Sequence, residues 1–66
     1  MNIRINGELQ LIEGPKTLDE LLSHLRVKKE AVVCELNRAV ISKVNYSETM
    51  LNDNDSLEIV HFVGGG

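Results

Sequence analysis

The stretch that decides the fold is residues 17–25, which read Thr-Leu-Asp-Glu-Leu-Leu-Ser-His-Leu. Thr17 and Glu20 have the spacing of a capping box, in which each side chain binds a free backbone amide at the start of a helix. Leucines then recur every three or four residues, which places one apolar stripe along a short helix. These leucines are Leu18, Leu21, Leu22 and Leu25. The stretch predicts a single amphipathic helix with one face to bury.

A β-hairpin is predicted before this helix. Apolar and polar residues alternate over residues 2–6, which is the period of a half-buried strand. Asn6-Gly7 is the strongest short hairpin signal, because a type I′ turn needs positive φ at both central residues. Leu9 and Leu11 resume the alternation in a second strand, and Gly14-Pro15 ends it.

Three further strands are predicted after the helix, over residues 32–36, 39–41 and 57–63. A turn at Asn37-Arg38 joins the first two of them. A mostly polar loop of residues 43–56 leads to the last strand.

Three apolar residues are expected to anchor that loop on the core: Tyr46, Met50 and Leu51. A tight turn at residues 53–55 closes the loop, since Asn54 accepts the left-handed conformation that such turns need.

The order of elements predicts an α+β fold. One helix with a single leucine stripe covers one face of one sheet, which gives two layers. A leading hairpin, a crossover helix and a C-terminal strand inside the sheet describe a β-grasp with a mixed sheet, as in ubiquitin. The first and last strands are expected to lie parallel and adjacent at its centre.

Composition limits what the chain can do. Its 66 residues are 42% hydrophobic, with one Phe, one Tyr and no Trp, so residues 1–63 are expected to form one domain around one aliphatic core. A chain of this size buries only about 60% of the surface that its unfolded form exposes. An enclosed ligand pocket usually needs roughly 300 Å³ or more. A carrier or binding module is therefore favoured over an enzyme.

Charge and cysteine content exclude other classes. The formal net charge is −3, and no basic patch is present to replace counterions on a nucleic acid. The N-terminus lacks the apolar stretch of a secretory signal, and no apolar run approaches a membrane span. The single cysteine cannot form an internal disulfide, which favours a reducing compartment. We expect a cytoplasmic protein with neither nucleic-acid nor membrane partners.

The three terminal glycines are the most informative feature. A chain ends on Gly64-Gly65-Gly66 by chance in roughly one case in three thousand. Glycine lacks Cβ, so a flexible tail of residues 64–66 can enter a narrow channel and reach about 10 Å beyond a sheet. We expect this tail to deliver the carboxylate of Gly66 into the active site of another protein. ATP-dependent adenylation would make that carboxylate reactive, because AMP is a far better leaving group than an oxide.

The strand before the tail supports a docking role. Leu57 and Ile59 are expected to face the core, which places Val60 and Phe62 on the opposite face. Exposed apolar side chains beside the tail often mark a partner site, so Val60 and Phe62 are predicted to bind the partner. The alternative is that both side chains pack beneath the loop of residues 43–56.

The remaining reactive side chains have structural interpretations. Cys34 shares a strand face with Val32 and Leu36 and is predicted to be a buried thiol. His24 is predicted to be solvated and His61 to be packed or solvated, and with Cys34 they lack the spacing of metal ligands. We therefore expect no bound metal and no bound cofactor.

In order and in length, the motifs of this chain resemble those of the ThiS family of sulfur carriers, and the resemblance covers essentially the whole chain. The matching motifs are Asn6-Gly7-Glu8, Thr17-x-x-x-Leu21-Leu22, Leu36-Asn37, Val40-Ile41, Leu51-x-Asp53-x-Asp55, Glu58-Ile59-Val60 and Val63-Gly64-Gly65-Gly66. Ser42-Lys43 departs from the pattern, because many relatives have Pro-Arg there, and Asn54 stands where relatives commonly have Gly.

The resemblance implies a reaction cycle. A ThiF-like adenylyltransferase would use ATP and magnesium to adenylate Gly66. Sulfur from cysteine, supplied through a cysteine desulfurase or a rhodanese-like protein, would convert it to a thiocarboxylate, and thiazole synthase would accept that sulfur. Gly64 and Gly65 would provide the narrow approach, and the chain would be a co-substrate rather than a catalyst.

Other functions fit the same sequence. A MoaD-like subunit of molybdopterin synthase has the same fold and the same thiocarboxylate. A carrier for another sulfur-requiring pathway, or a ubiquitin-like modifier that transfers Gly66 to a lysine amine, is a further alternative. A non-catalytic interaction module would bind partners through a sheet edge and would not need its last glycine.

Overall fold

Residues 1–62 are described by the structure, a computed structural model, and they form one five-stranded sheet with one α-helix. The elements are β1 (Asn2–Ile5), β2 (Glu8–Leu11), α1 (Leu18–His24), β3 (Val32–Leu36), β4 (Ala39–Ile41) and β5 (Asp55–His61), with short 3₁₀ turns at Lys29–Ala31 and Lys43–Asn45. The predicted helix and strands are all present. The last strand begins at Asp55 instead of Leu57, and its predicted end at Val63 lies outside the described residues.

The sheet is mixed, with the strand order β2-β1-β5-β3-β4. β1 and β5 run parallel, with Ile3 opposite Asp55 and Ile5 opposite Leu57. The other neighbouring pairs are antiparallel. The last strand of the chain is thus the central strand of the sheet, and the predicted β-grasp is confirmed.

The start of α1 is fixed by the predicted capping box. The Glu20 backbone amide donates to the Thr17 hydroxyl at 3.1 Å, and the Glu20 carboxylate accepts from the Thr17 amide at 3.1 Å. The same carboxylate also accepts from the Lys16 amide at 2.8 Å. These backbone hydrogen bonds, from Lys16 first and Thr17 second, lower the pKa of Glu20, because they favour its charged form.

The end of α1 is a Schellman motif. Arg26 adopts the left-handed conformation, with φ of 60°, in the position that glycine usually takes. The Arg26 amide donates to the Ser23 carbonyl at 3.0 Å, and the Val27 amide donates to the Leu22 carbonyl at 2.8 Å. The helix therefore ends after two turns, which is the length over which its leucine side chains can be buried.

The core lies between α1 and the inner face of the sheet. Its buried residues are Ile3, Ile5, Ile12, Leu18, Leu21, Leu22, Val32, Cys34, Tyr46, Leu51, Leu57 and Ile59. Leu25, the last of the leucine stripe, packs against this cluster but is only half-buried. One helix thus covers the inner face, and the outer face of the sheet has no helix over it within residues 1–62.

Two of the three predicted loop anchors are confirmed and one is wrong. Tyr46 and Leu51 are buried, whereas Met50 is 57% exposed. Met50 forms an isolated antiparallel bridge with Thr17. Side chains of an extended segment alternate in direction, so Leu51 faces the core and Met50 faces outward.

The leucines of β2 do not enter the core. Leu9 and Leu11 are 56% and 70% exposed. The register places Leu9 opposite Arg4 and Leu11 opposite Asn2, and residues that lie opposite each other share a face. The hairpin was predicted correctly, but the alternating leucines of β2 lie on the outer face of the sheet. Ile12, just beyond the strand, enters the core instead.

Asparagines in the two hairpin turns also hold β5. Asn6 and Gly7 have φ of 50° and 83°, as a type I′ turn requires. The Asn6 amide group donates to the Ile59 carbonyl at 3.3 Å, and its oxygen accepts from the Ile59 amide at 2.7 Å. In the second turn, Asn37 has φ of 51° and accepts from the Ser56 amide at 3.0 Å. The central strand is therefore fixed from both sides.

Candidate functional site

The central strand presents two different faces. Leu57 and Ile59 are buried, as predicted, while Val60 and Phe62 are 53% and 42% exposed. Val60 lies on the outer face of the sheet, and Phe62 follows directly after the strand ends at His61. The sequence-based prediction that these two side chains are exposed beside the chain's end is confirmed, whereas their role in binding stays a prediction.

Neighbouring strands add further apolar side chains around Val60. Val33 lies directly opposite Val60 in the β3–β5 ladder and is 36% exposed. Val40 of β4 lies opposite Glu35, so it shares this face, and it is 67% exposed. We call Val33, Val40, Val60 and Phe62 the apolar patch. The sequence analysis missed Val33 and Val40. Alternation could have identified Val33, because it lies between the buried Val32 and Cys34 and so has its side chain on the opposite face.

The alternative in which Val60 and Phe62 pack beneath the loop of residues 43–56 is wrong. Val60 faces outward next to Val33. Phe62 is 42% exposed, and the Lys43 ammonium nitrogen at the start of the loop lies 5.3 Å from the centre of its ring. Both side chains therefore remain accessible to a partner.

A polar stripe divides the outer face. It consists of Asn2 and Arg4 on β1 with Ser56 and Glu58 on β5, as the alternation of the two strands requires. The stripe separates the apolar patch from the exposed leucines at the β2 edge. The patch is thus a local feature of the half of the sheet formed by β5, β3 and β4.

The end of β5 is attached to the start of β3. The Phe62 amide donates to the Ala31 carbonyl at 3.2 Å. The Lys43 ammonium group donates to the Val32 carbonyl at 2.9 Å. The chain is therefore held to the sheet as far as Phe62, beside the apolar patch. The predicted tail, Gly64, Gly65 and Gly66, lies outside the described residues.

The single cysteine of this chain is enclosed in the core. Cys34 is 0% exposed and Tyr46 is 1% exposed. Burial raises the pKa of the Cys34 thiol, although a hydrogen bond from the Tyr46 hydroxyl partly opposes this. Burial, followed by that same hydrogen bond, raises the pKa of Tyr46 to about 12. Cys34 is thus the buried structural thiol that the sequence predicted.

The two histidines lie at the surface. His24 ends α1 and His61 ends β5, and both are exposed. The longest helix within residues 1–62 has 7 residues, and none there has the length and apolar character to cross a bilayer.

The family model of ThiS matches residues 3–66. The chain belongs to the ThiS family. The sulfur carrier protein ThiS of Bacillus subtilis is 37% identical to it over 65 residues, which cover 97% of this chain and 98% of that protein. The resemblance stated from the sequence motifs is therefore confirmed.

A thiazole synthase of Magnetococcus marinus is 42% identical to this ThiS-family chain over 66 residues. The match covers all of this chain and 20% of the synthase, so the chain spans one fifth of that relative's length. A solved structure is also similar: the crystal structure of the thiamine biosynthesis protein (ThiS) from Geobacter metallireducens. It superposes with a TM-score of 0.85 at 36% identity and covers 100% of both chains.

Proposed function

We propose that this chain is a sulfur carrier of thiamin biosynthesis, with its cargo held on the carboxyl carbon of Gly66. One observation carries the proposal: in this ThiS-family chain, the central strand passes along an exposed apolar patch and leads within a few residues to Gly64-Gly65-Gly66. The name of the Bacillus subtilis relative, a sulfur carrier protein, supports it.

Activation must precede sulfur loading. The Gly66 carboxylate attacks the α-phosphorus of ATP, pyrophosphate leaves, and a mixed anhydride with AMP forms. A ThiF-like adenylyltransferase supplies the ATP site and the magnesium ion that stabilises the developing phosphate charge. A sulfur nucleophile then attacks the acyl carbon, and AMP leaves with the electron pair of the broken bond. Hydrosulfide gives the thiocarboxylate directly, whereas a protein persulfide gives an acyl disulfide, whose S–S bond a thiol then reduces to release the thiocarboxylate. The sulfur originates from cysteine through a desulfurase or a rhodanese-like protein.

The chain itself contributes a surface that binds the partner and a narrow glycine segment that carries the reacting carboxylate. The apolar patch docks the folded domain of residues 1–63 against the partner. Gly64 and Gly65 add no side chain to the segment that enters the partner's active site, so a narrow channel suffices. The chain is then a co-substrate that other enzymes modify. We place this cycle in the cytoplasm, where a reduced thiol is the normal state of a single cysteine.

Thiazole synthase is the acceptor that the comparisons favour. Relatives at 42% and 39% identity are thiazole synthases that contain a segment similar to this whole chain. A carrier and an acceptor that act in sequence gain from being joined, because linkage raises their effective concentration. We propose that this chain transfers its sulfur to a thiazole synthase.

The proposal is tested by intact-mass measurement. The chain is incubated with a ThiF-like adenylyltransferase, magnesium, ATP and inorganic sulfide. We expect the mass of the chain to rise by the difference between one sulfur and one oxygen atom, and the product to react with a thiol-alkylating reagent under native conditions. The control omits ATP and should leave the mass unchanged. An unchanged mass with an adenylyltransferase that is active on another ThiS-family chain would contradict the proposal.

Docking through the apolar patch predicts a second result. Val60→Lys places a charge where the partner should exclude water, so we expect KM for adenylation to rise at least about ten-fold, which corresponds to about 1.4 kcal/mol. Leu9→Lys is the matched control, because Leu9 is equally apolar, 56% exposed and on the same face but across the polar stripe. We expect it to change KM less than about two-fold. Equal effects of the two variants would show that docking is not confined to the patch.

A further inference from the structure

Lys43 occupies the place in the sheet where β4 has ended. The β3–β4 register pairs Leu36 with Ala39 and Cys34 with Ile41, so its continuation sets Val32 opposite residue 43. The chain has turned into the 3₁₀ turn Lys43–Asn45 by then, and no backbone donor from β4 reaches the Val32 carbonyl. The Lys43 ammonium group, reaching back from the turn, donates to that carbonyl at 2.9 Å.

The same ammonium group also contacts the end of β5. It lies 5.3 Å from the centre of the Phe62 ring, within the range of a cation–π attraction. The Phe62 amide donates to the carbonyl of Ala31, the residue before Val32. One side chain thus touches both the first residue of β3 and the last described residue of the chain.

We propose that Lys43 is a positioning residue for sulfur loading. Through its contacts with Val32 and Phe62, it holds the phenyl ring beside the rest of the apolar patch and fixes the end of β5 against the start of β3. This role rests on the proposed carrier function, and it adds to that function a residue outside the patch and outside the tail. Lys43 acts through Phe62 and has no chemical step of its own.

The physical effect is preorganisation. A side chain that must be immobilised when a complex forms weakens binding, and one that is already held does not. With Lys43 present, the ring and backbone of Phe62 are already in position before the partner binds. Without Lys43, the ring samples more rotamers, and the partner must order it on binding. The weaker binding should therefore raise KM and leave kcat unchanged, since the contacts at the reacting carboxylate are the same.

Adenylation kinetics of Lys43→Met and Lys43→Arg test this role. Methionine keeps an unbranched apolar side chain but carries no charge for a cation–π attraction and cannot donate to Val32. We expect Lys43→Met to raise KM by about three- to ten-fold while kcat changes less than about two-fold. Arginine offers both contacts, since it donates to carbonyls and stacks on aromatic rings, so Lys43→Arg should restore KM to within about two-fold.

A double-mutant cycle separates positioning from direct contact. If Lys43 acts through Phe62, then Lys43→Met should have no further effect on KM in a Phe62→Ala background. A full additional rise in KM in that background would show that Lys43 touches the partner itself, and would overturn the positioning role. An unchanged KM for Lys43→Met in the otherwise native chain would overturn it as well.

Hydrogen exchange of the Phe62 amide provides a readout that needs no partner. The amide is bonded to the Ala31 carbonyl at 3.2 Å, and we expect Lys43→Met to accelerate its exchange at least about five-fold, with the amides of the β1–β2 ladder unchanged. Unchanged exchange at Phe62 would contradict the inference. If the native chain is not adenylated at all, the carrier proposal fails, while this exchange experiment still decides whether Lys43 holds Phe62.

Discussion

Deletion of Gly66 should abolish sulfur loading and leave the folded domain intact. The reacting carboxylate would then belong to Gly65 and would stop about 3.5 Å short of the position that the activating enzyme serves. Displacements of about 1 Å at a reacting centre already reduce rates by roughly a hundred-fold, so we expect a loss of at least that size in adenylation. Intact mass after incubation with the adenylyltransferase, ATP and sulfide measures it.

Folding of the shortened chain should be nearly unaffected. Within residues 1–62, every buried core residue lies between Ile3 and Ile59, and glycine has no side chain to add to that core. We expect the free energy of unfolding to change by less than about 0.5 kcal/mol. A chain extended by one further glycine is the matched control for tail length and should load poorly for the same geometric reason. Retention of normal loading after the deletion would favour an interaction module over a carrier.

Alkali should destabilise the chain strongly through Tyr46. Burial raises the pKa of this phenol from its ordinary value of 10.0 to about 12 in the folded state. Between those two values the folded chain keeps a proton that the unfolded chain has lost, so stability falls as pH rises through this range and is fully present below it. A shift of this size corresponds to about 2 to 3 kcal/mol. Burial raises the pKa of the Cys34 thiol, so ionisation of this group acts in the same direction, starting from its ordinary value of 9.0.

Such a loss is large for a domain of this size, whose core supplies roughly 3–5 kcal/mol of net stability. Urea unfolding at about pH 8 and about pH 11 measures about half of it, about 1.4 kcal/mol, because pH 11 lies midway between the two pKa values. Tyr46→Phe is the control: it keeps the aromatic ring but has no group to ionise, so its stability should fall much less between the two pH values. Tyr46 is the only tyrosine, so tyrosinate absorbance also follows this single group. An equal fall in Tyr46→Phe would show that other groups cause the alkaline loss.

The parts of the fold that could be predicted from sequence are those with local causes. Thr17 and Glu20 define the helix start within four residues, and Asn6-Gly7 defines a hairpin through its own backbone preferences. The place of the last strand at the centre of the sheet followed from the order of the elements. Leu9 shows the limit of this reasoning, because the face it occupies depends on its register with Arg4 in another strand.

The candidate site was predicted in part for the same reason. The exposure of Val60 and Phe62 follows from alternation within one strand, and the glycines are visible in the sequence itself. Val40 and Lys43 belong to the site only because the sheet brings separate segments together. The Lys43 contact with the Val32 carbonyl, for example, spans eleven positions along the chain. Neither the alternation of apolar residues nor the composition of the chain predicts a contact between residues so far apart in sequence.

The burial of Cys34 has a consequence if the chain carries an activated acyl group, as proposed. An acyl adenylate reacts with whichever thiolate reaches it first, and a thiolate on the carrier's own surface would trap the group as a dead-end thioester between two copies. With its only cysteine 0% exposed and predominantly protonated, this chain offers no such competitor. The interior of the domain would thereby protect the proposed reaction at Gly66, in which the core itself takes no part.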